Sequence, residues 1–320
     1  MSQRLLLPLC SFSAAFVVAG ACGGGSARDN GADAGSGSGS GVACGGHGQP
    51  ACATDANDPE YLNHYGGEIR TEYSANPQTG AEGITMYAFF VSAQTPDSIA
   101  ELQDGCQNTK SFVNTTNAGA VNTTRTFEDV GDTMTFTGAG EQPITLGRYS
   151  NIADKRGLVM GIEYAYNGSA VNEVPTTDVL RGAEYNIDMS GMGTFPGVLK
   201  MPTEWETVAG NLDFGSGSVN NIPAATDVTW QYSYVPGEPF VDTASLLFSG
   251  NSGSGVAEAW FCVAPINDGM VTIPAATVAM FPPSGKLQAA TNAHQQINFN
   301  GRVVDVLGVT CRTTTYTIAQ

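Results

Sequence analysis

From residue 64 onward, the chain is dominated by short runs in which apolar and polar side chains alternate with period two. That spacing puts successive side chains on opposite faces of a β-strand. Ile69, Thr71 and Tyr73 alternate with Glu68, Arg70 and Glu72, while Met134 and Phe136 alternate with Thr133, Thr135 and Thr137. Leu158, Met160, Ile162, Tyr164 and Tyr166 fall on one face of a longer strand, and Tyr185, Ile187 and Met189 oppose Glu184, Asn186 and Asp188. Each of these strands is predicted to have one wet face, as antiparallel sheets commonly do. Ile84–Val91 (ITMYAFFV) is apolar on both faces and is predicted to run through the middle of a sheet.

The C-terminal third is patterned more cleanly. Val228, Trp230, Tyr232 and Tyr234 share a face against Asp227, Thr229, Gln231 and Ser233, which predicts a core position for Trp230. Val256–Val263 (VAEAWFCV) reads as a buried strand closed by the turn residues Asn267-Asp268-Gly269. Asn300-Gly301, set between Ile297–Phe299 and Val303–Val306, is a two-residue hairpin signal. His294 falls in an Asn-Ala-His-Gln-Gln stretch that reads as a polar loop.

Helix signals are confined to a short segment after Pro96 that carries Ile99 and Leu102, and a turn or two opening at Pro274. With so little helix, sheet must pack on sheet. The Gly-, Ser- and Asn-rich stretch 211–225 divides the strands into two groups. The expected architecture is all-β: two antiparallel β-sandwich domains of immunoglobulin or fibronectin type, at 64–210 and 211–320, following a disordered tether.

The N-terminus has a different character. Arg4 precedes an apolar run from Leu5 to Val18, of signal-peptide length and too short to span a bilayer as a helix. Residues 1–21 are therefore expected to be removed. Ala19-Gly20-Ala21-Cys22 resembles the lipobox of bacterial lipoproteins, with Ala19 standing where that family usually has Leu. The resemblance implies that Cys22 is acylated and becomes the new N-terminus. Residues 23–42 are Gly, Ser, Ala and a few polar residues, which cannot bury apolar surface; such a coil spans roughly 25 Å root-mean-square. Residues 22–63 are thus read as a lipidated tether. Gly23 stands where inner-membrane lipoproteins carry an aspartate, so the resemblance implies the outer membrane, facing either the periplasm or the cell surface.

The formal net charge of −17 argues against nucleic acid as a partner, and charged residues make up only 13% of the chain. Of seven cysteines, Cys10 leaves with the signal and Cys22 takes the lipid. In an oxidising compartment the expected disulfides are Cys44–Cys52 and Cys262–Cys311, with Cys106 left over as a buried thiol.

Candidate chemistry is sparse. Glu204-Trp205-Glu206 would place two carboxylates on one strand face about 7 Å apart, within the range of glycosidase acid and base pairs. Asp55, Asn57 and Asp58 offer calcium-type oxygens without the spacing of an EF-hand loop. No nucleophile elbow, zinc-protease motif or phosphate-binding loop is present. No metal site and no cofactor are expected.

The series D-V-G-D-T-M-T-F-T-G (129–138), Gly-Ala-Glu-Tyr (182–185), D-V-T-W (227–230), then F-C and D-G-x-x-T-I-P-A (261–275) is similar to uncharacterised acidic surface lipoproteins of Gram-negative bacteria. That resemblance covers roughly 120–320 and implies architecture only. The expected function is a non-catalytic, membrane-anchored extracytoplasmic protein with a binding or structural role and an unidentified protein or glycan ligand. The alternative is a carbohydrate-active hydrolase working through Glu204 and Glu206.

Overall fold

Asn76 turns the first hairpin. Its side-chain oxygen accepts the amides of Gln78 and Thr79, and Gly80 supplies the positive φ (+67°) that closes the turn. The arms on either side are Tyr65–Asn76 (β1) and Ala81–Ala93 (β2). The computed structural model describes residues 65–93, 105–108, 126–138, 142–153, 160–166, 173–190, 193–215, 219–233, 241–251, 257–299 and 302–319. The signal segment, Cys22, the tether, the Cys44–Cys52 pair, Asp55, Asn57, Asp58 and the short helix expected after Pro96 all lie outside the described residues.

The first half continues with Gly105–Asn108 (β3), Thr126–Phe127 (β4), Thr133–Gly138 (β5), Ile144–Ala153 (β6), Met160–Tyr166 (β7), Glu173–Val174 (β8), Glu184–Met189 (β9) and Gly193–Lys200 (β10). The second half contributes Glu206–Gly210 (β11), Asn220–Pro223 (β12), Val228–Ser233 (β13), Thr243–Asn251 (β14), Ala257–Pro265 (β15), Met270–Ile273 (β16), Ser284–Phe299 (β17) and Arg302–Ala319 (β18). One helical turn, Ala275–Val278 (α1), opens at Pro274 as expected, and Asp227 Oδ1 accepts the Ala275 amide at 2.8 Å.

The protein is all-β, built on one large mixed sheet and one small sheet. The large sheet runs β10-β9-β5-β6-β7-β2-β1-β18-β17-β14-β15-β3, with β12 beside β18 and with β4 and β8 beside β2. Its pairs are antiparallel except β1 and β12, which both run parallel to β18. The small sheet is β11-β13-β16. Strands from both sides of residue 211 therefore share the large sheet: β1 is hydrogen-bonded to β18, and β3 to β15.

Two large hydrophobic cores are seen among the described residues, beside a small cluster of Ala290, Val309 and Cys311. In the first, Ile69, Ile84, Met86, Phe90, Val304 and Val306 of the central strands meet Met134, Phe136, Tyr185, Ile187 and Leu199 of β5, β9 and β10. The sheet curls to make that contact, and β10 comes back to touch β17 and β18. In the second, Leu246, Phe248, Trp260, Leu287 and Tyr316 pack against Trp205, Trp230, Tyr232, Val271 and Ile273 around the small sheet. Residues 200–205 cross β18 between the two cores. Thr310 Oγ1 donates to the Pro202 carbonyl at 2.8 Å, and Trp205 Nε1 donates to the Thr310 carbonyl at 3.1 Å.

The individual strand readings fare well where one face is wet. Val228, Trp230 and Tyr232 are buried while Ser233 is exposed, and β2 runs as an interior strand with both faces covered. Phe299 pairs with Arg302, the register of a two-residue connection at 300–301. The arms of that hairpin are far longer than their apolar ends suggest, and His294 lies inside β17 rather than in a loop.

The disulfide reading of the C-terminal half needs correction. Cys262 is bonded to Cys106, not to Cys311. Cys106 and Cys262 are direct cross-strand partners on β3 and β15. The row containing Cys262 runs through Leu246 and Ala289 to Arg312, so Cys311, one residue away on β18, points from the opposite face. Three strand spacings, about 14 Å, add to that separation and put the pair far beyond disulfide reach.

Candidate functional site

Glu204, in the crossing segment, is exposed, whereas Trp205 beside it is buried in the second core at 1% exposure. Glu204 is held by two arginines: Arg181 Nη1 reaches Oε2 at 3.0 Å, and Arg312 Nη2 pairs with Oε1. Each guanidinium also lies over an aromatic ring, Arg312 over Trp205 at 5.0 Å and Arg181 over Tyr73 at 4.3 Å. Partial burial alone would raise the Glu204 pKa. The Arg312 hydrogen bond and the charges of Arg181 and Arg312 outweigh it, leaving the group below its ordinary value. A carboxyl held ionised in this way is poorly suited to be a general acid near neutral pH.

Glu206 opens β11 opposite Ser233 and is exposed. The tryptophan rings near the two glutamates, which a sugar-binding site would need exposed for stacking, are turned inward. Trp230 is fully buried, with ring centroids 4.7 Å from Trp205, 5.7 Å from Phe214 and 4.7 Å from Tyr232. Glu204 thus fastens the crossing segment to β18 and to the loop that carries Arg181, with no aromatic surface beside it from Trp205 or Trp230.

A denser collection of ionisable groups occupies the other face of the central strands. Register places Phe89, Glu68, Asp305 and Gln296 in one row across β2, β1, β18 and β17, and Tyr87, Arg70, Leu307 and His294 in the next. Tyr87 Oη donates to Glu68 Oε1 at 2.7 Å. Asp305, fully buried, faces His294 Nε2 at 2.8 Å and accepts from Gln296 Nε2 at 3.0 Å. Arg70 pairs with Glu72 at 3.0 Å, and Glu72 also accepts from Gln288 Nε2 at 3.2 Å. The His294 amide donates to Asp242 Oδ2 at 2.6 Å.

Electrostatics follow from this crowding. Burial raises the Tyr87 pKa well above that of a free phenol, and the neighbouring Glu68 adds to the effect, so Tyr87 stays protonated and donates. For Arg70 burial acts downward, but Tyr87, Glu72 and Glu68 around it leave the guanidinium above its ordinary value. The Asp305 bonds to His294 and Gln296 tie β18 to β17, and the Glu72 bond to Gln288 ties β1 to β17.

Sequence reasoning missed this layer. Glu68, Arg70 and Glu72 read as a wet strand face, yet Glu68 is 1% exposed and the side chains of Arg70 and Glu72 are 14% and 18% exposed. The available signal was the alternation of opposite charges on one strand face, which equally describes a solvated ladder. Among the described residues, no three or more His, Cys, Asp or Glu side chains are grouped to hold a metal ion. No described helix is long and apolar enough to cross a membrane.

Comparison of the chain with known families, with curated proteins and with solved structures returns no match.

Proposed function

We propose that the chain is a non-catalytic, lipid-anchored protein of the bacterial cell envelope, tethered through Cys22 and presenting its β-structure for a binding or structural role. The observation that carries this reading is the order of the N-terminal segments: a positive residue, a short apolar run, Ala19-Gly20-Ala21-Cys22, then a Gly/Ser coil. The Cys106–Cys262 disulfide agrees with it, because such bonds persist in oxidising compartments. Absence of Asp after Cys22 favours the outer membrane. The inward-facing tryptophans and the arginine-bound Glu204 favour the non-catalytic reading over a glycosidase working through Glu204 and Glu206.

The finer architectural reading, an immunoglobulin-like sandwich over 211–320, is supported by the packing of the small sheet against β14, β15 and β17 around Trp230. The anchoring proposal is tested by fractionating cells of a Gram-negative host that express the full chain or Cys22→Ala. The wild type is expected in the membrane pellet and the variant in the soluble envelope fraction. Equal membrane association of both would overturn the anchor.

A further inference from the structure

We propose that β18 is a closing strand: the two large cores form one cooperative unit through it, and the fold stays open until it is in place. β18 follows every other described strand in chain order, yet it lies inside the large sheet, between β1 and β17. It pairs with β1 over 303–312, with β17 over 302–317 and with β12 over 316–319. β1 turns its other side to β2, and β17 turns its other side to β14. Among the described strands, the large sheet without β18 is therefore two pieces, one running from β10 to β1 and the other from β17 to β3, with β12 joined to neither.

The same strand builds both cores. Val304 and Val306 are buried in the first, and Tyr316 is buried in the second with Ile318 packed against it. Two further links between the cores lean on β18. β17 carries Ile297 in the first core and Leu287 and Ala289 in the second, and the segment 200–205 carries Met201 in the first and Trp205 in the second. β17 is paired with β18 along its whole length, and the crossing segment is bonded to Thr310 through Pro202 and Trp205.

Pairing β1 with β18 also closes a long loop. Gln78, in the turn after β1, donates to Thr315 across 237 residues of sequence. Loop closure of this length is opposed by chain entropy and offset only by contacts that form together, which places it late in folding. For a chain exported N-terminus first, which is the reading proposed above, β1 to β17 then pass before either core sets; the cooperativity itself needs no export.

The test is refolding of the full chain from denaturant, disulfide intact, with pulsed amide hydrogen exchange. Protection in β2, of the first core, and in β14, of the second, is expected to rise in the same kinetic phase as that of β18. Full protection of either strand in a phase that precedes β18 would overturn the closing role. Native-state exchange of two full-length variants reads the coupling a second way, with Val306→Ala in the first core and Tyr316→Ala in the second. Each is expected to speed the slowest-exchanging amides of β2 and β14 alike, by at least tenfold. Acceleration confined to the variant's own core would overturn the coupling. The wild-type experiment needs no substitution, so it decides even where a variant does not fold.

Discussion

The main-chain carbonyl of Lys200 occupies the space that a Cβ on Gly308 would need. Gly308 lies where the segment leaving β10 crosses β18, and that segment is pinned on both sides, by Met201 hydrogen-bonding with Ala183 and Gly182 and by Thr310 bonding to Pro202. The obstructing atom is backbone and cannot swing aside. Gly308→Ala should therefore cost about 1 to 3 kcal/mol, the usual range for overpacking, read as a lowered urea midpoint. Gly215→Ala, where an added Cβ makes only an ordinary contact at 3.6 Å, should leave the midpoint nearly unchanged.

Trp230 has the same standing in the second core. Its ring touches Trp205, Phe214 and Tyr232, and Trp230→Ala would leave a void that these rings cannot all fill. A loss of about 3 to 5 kcal/mol is expected. Chemical unfolding of the full chain followed by circular dichroism measures it, and an unchanged midpoint would place Trp230 outside the core.

How much of this was legible depended on what each face of a strand meets. Val228, Trp230 and Tyr232 against Thr229, Gln231 and Ser233 gave both the strand and its inward side, because β13 has one apolar and one polar environment. β17 and β18 did not read as long strands. Asn292 and Gln296 are buried and His294 is half-buried, all three against Asp305 or other polar partners, so alternation of hydropathy fails where alternation of facing persists. The parallel pairing of β1 with β18, and the return of β3 to β15 across 156 residues of sequence, are long-range choices that no local pattern encodes. Both Glu204 and Trp205 were singled out as residues, but their sorting into an ion cluster and a core came only with Arg181 and Arg312 in view.

Asp305 holds the polar layer together by bonding both His294 and Gln296. Asp305→Ala should destabilise the protein by about 1 to 3 kcal/mol for each buried partner left without a replacement. Side-chain exchange of the Gln296 carboxamide protons, followed by NMR, should accelerate in the variant. Retention of both stability and slow exchange would show that the layer does not depend on this carboxylate.

Glu204 gives a pH signature. Its folded-state pKa is depressed by Arg312 and Arg181, so its contribution to stability is present above the unfolded value of about 4.3 and is lost as pH falls through the folded one. Glu204→Gln removes the titrating group. The variant should be less stable near neutral pH, and its stability should fall less steeply below about pH 4.3 than that of the wild type. Parallel curves in that window would show that the arginine cluster has no linkage to folding.

The anchoring claim is tested most directly by the mass of the N-terminal peptide of the mature protein purified from membranes of a Gram-negative host. The account predicts a peptide that begins at Cys22 and carries the added mass of fatty acyl chains. A peptide that begins at any other residue, or at an unmodified Cys22, would contradict it.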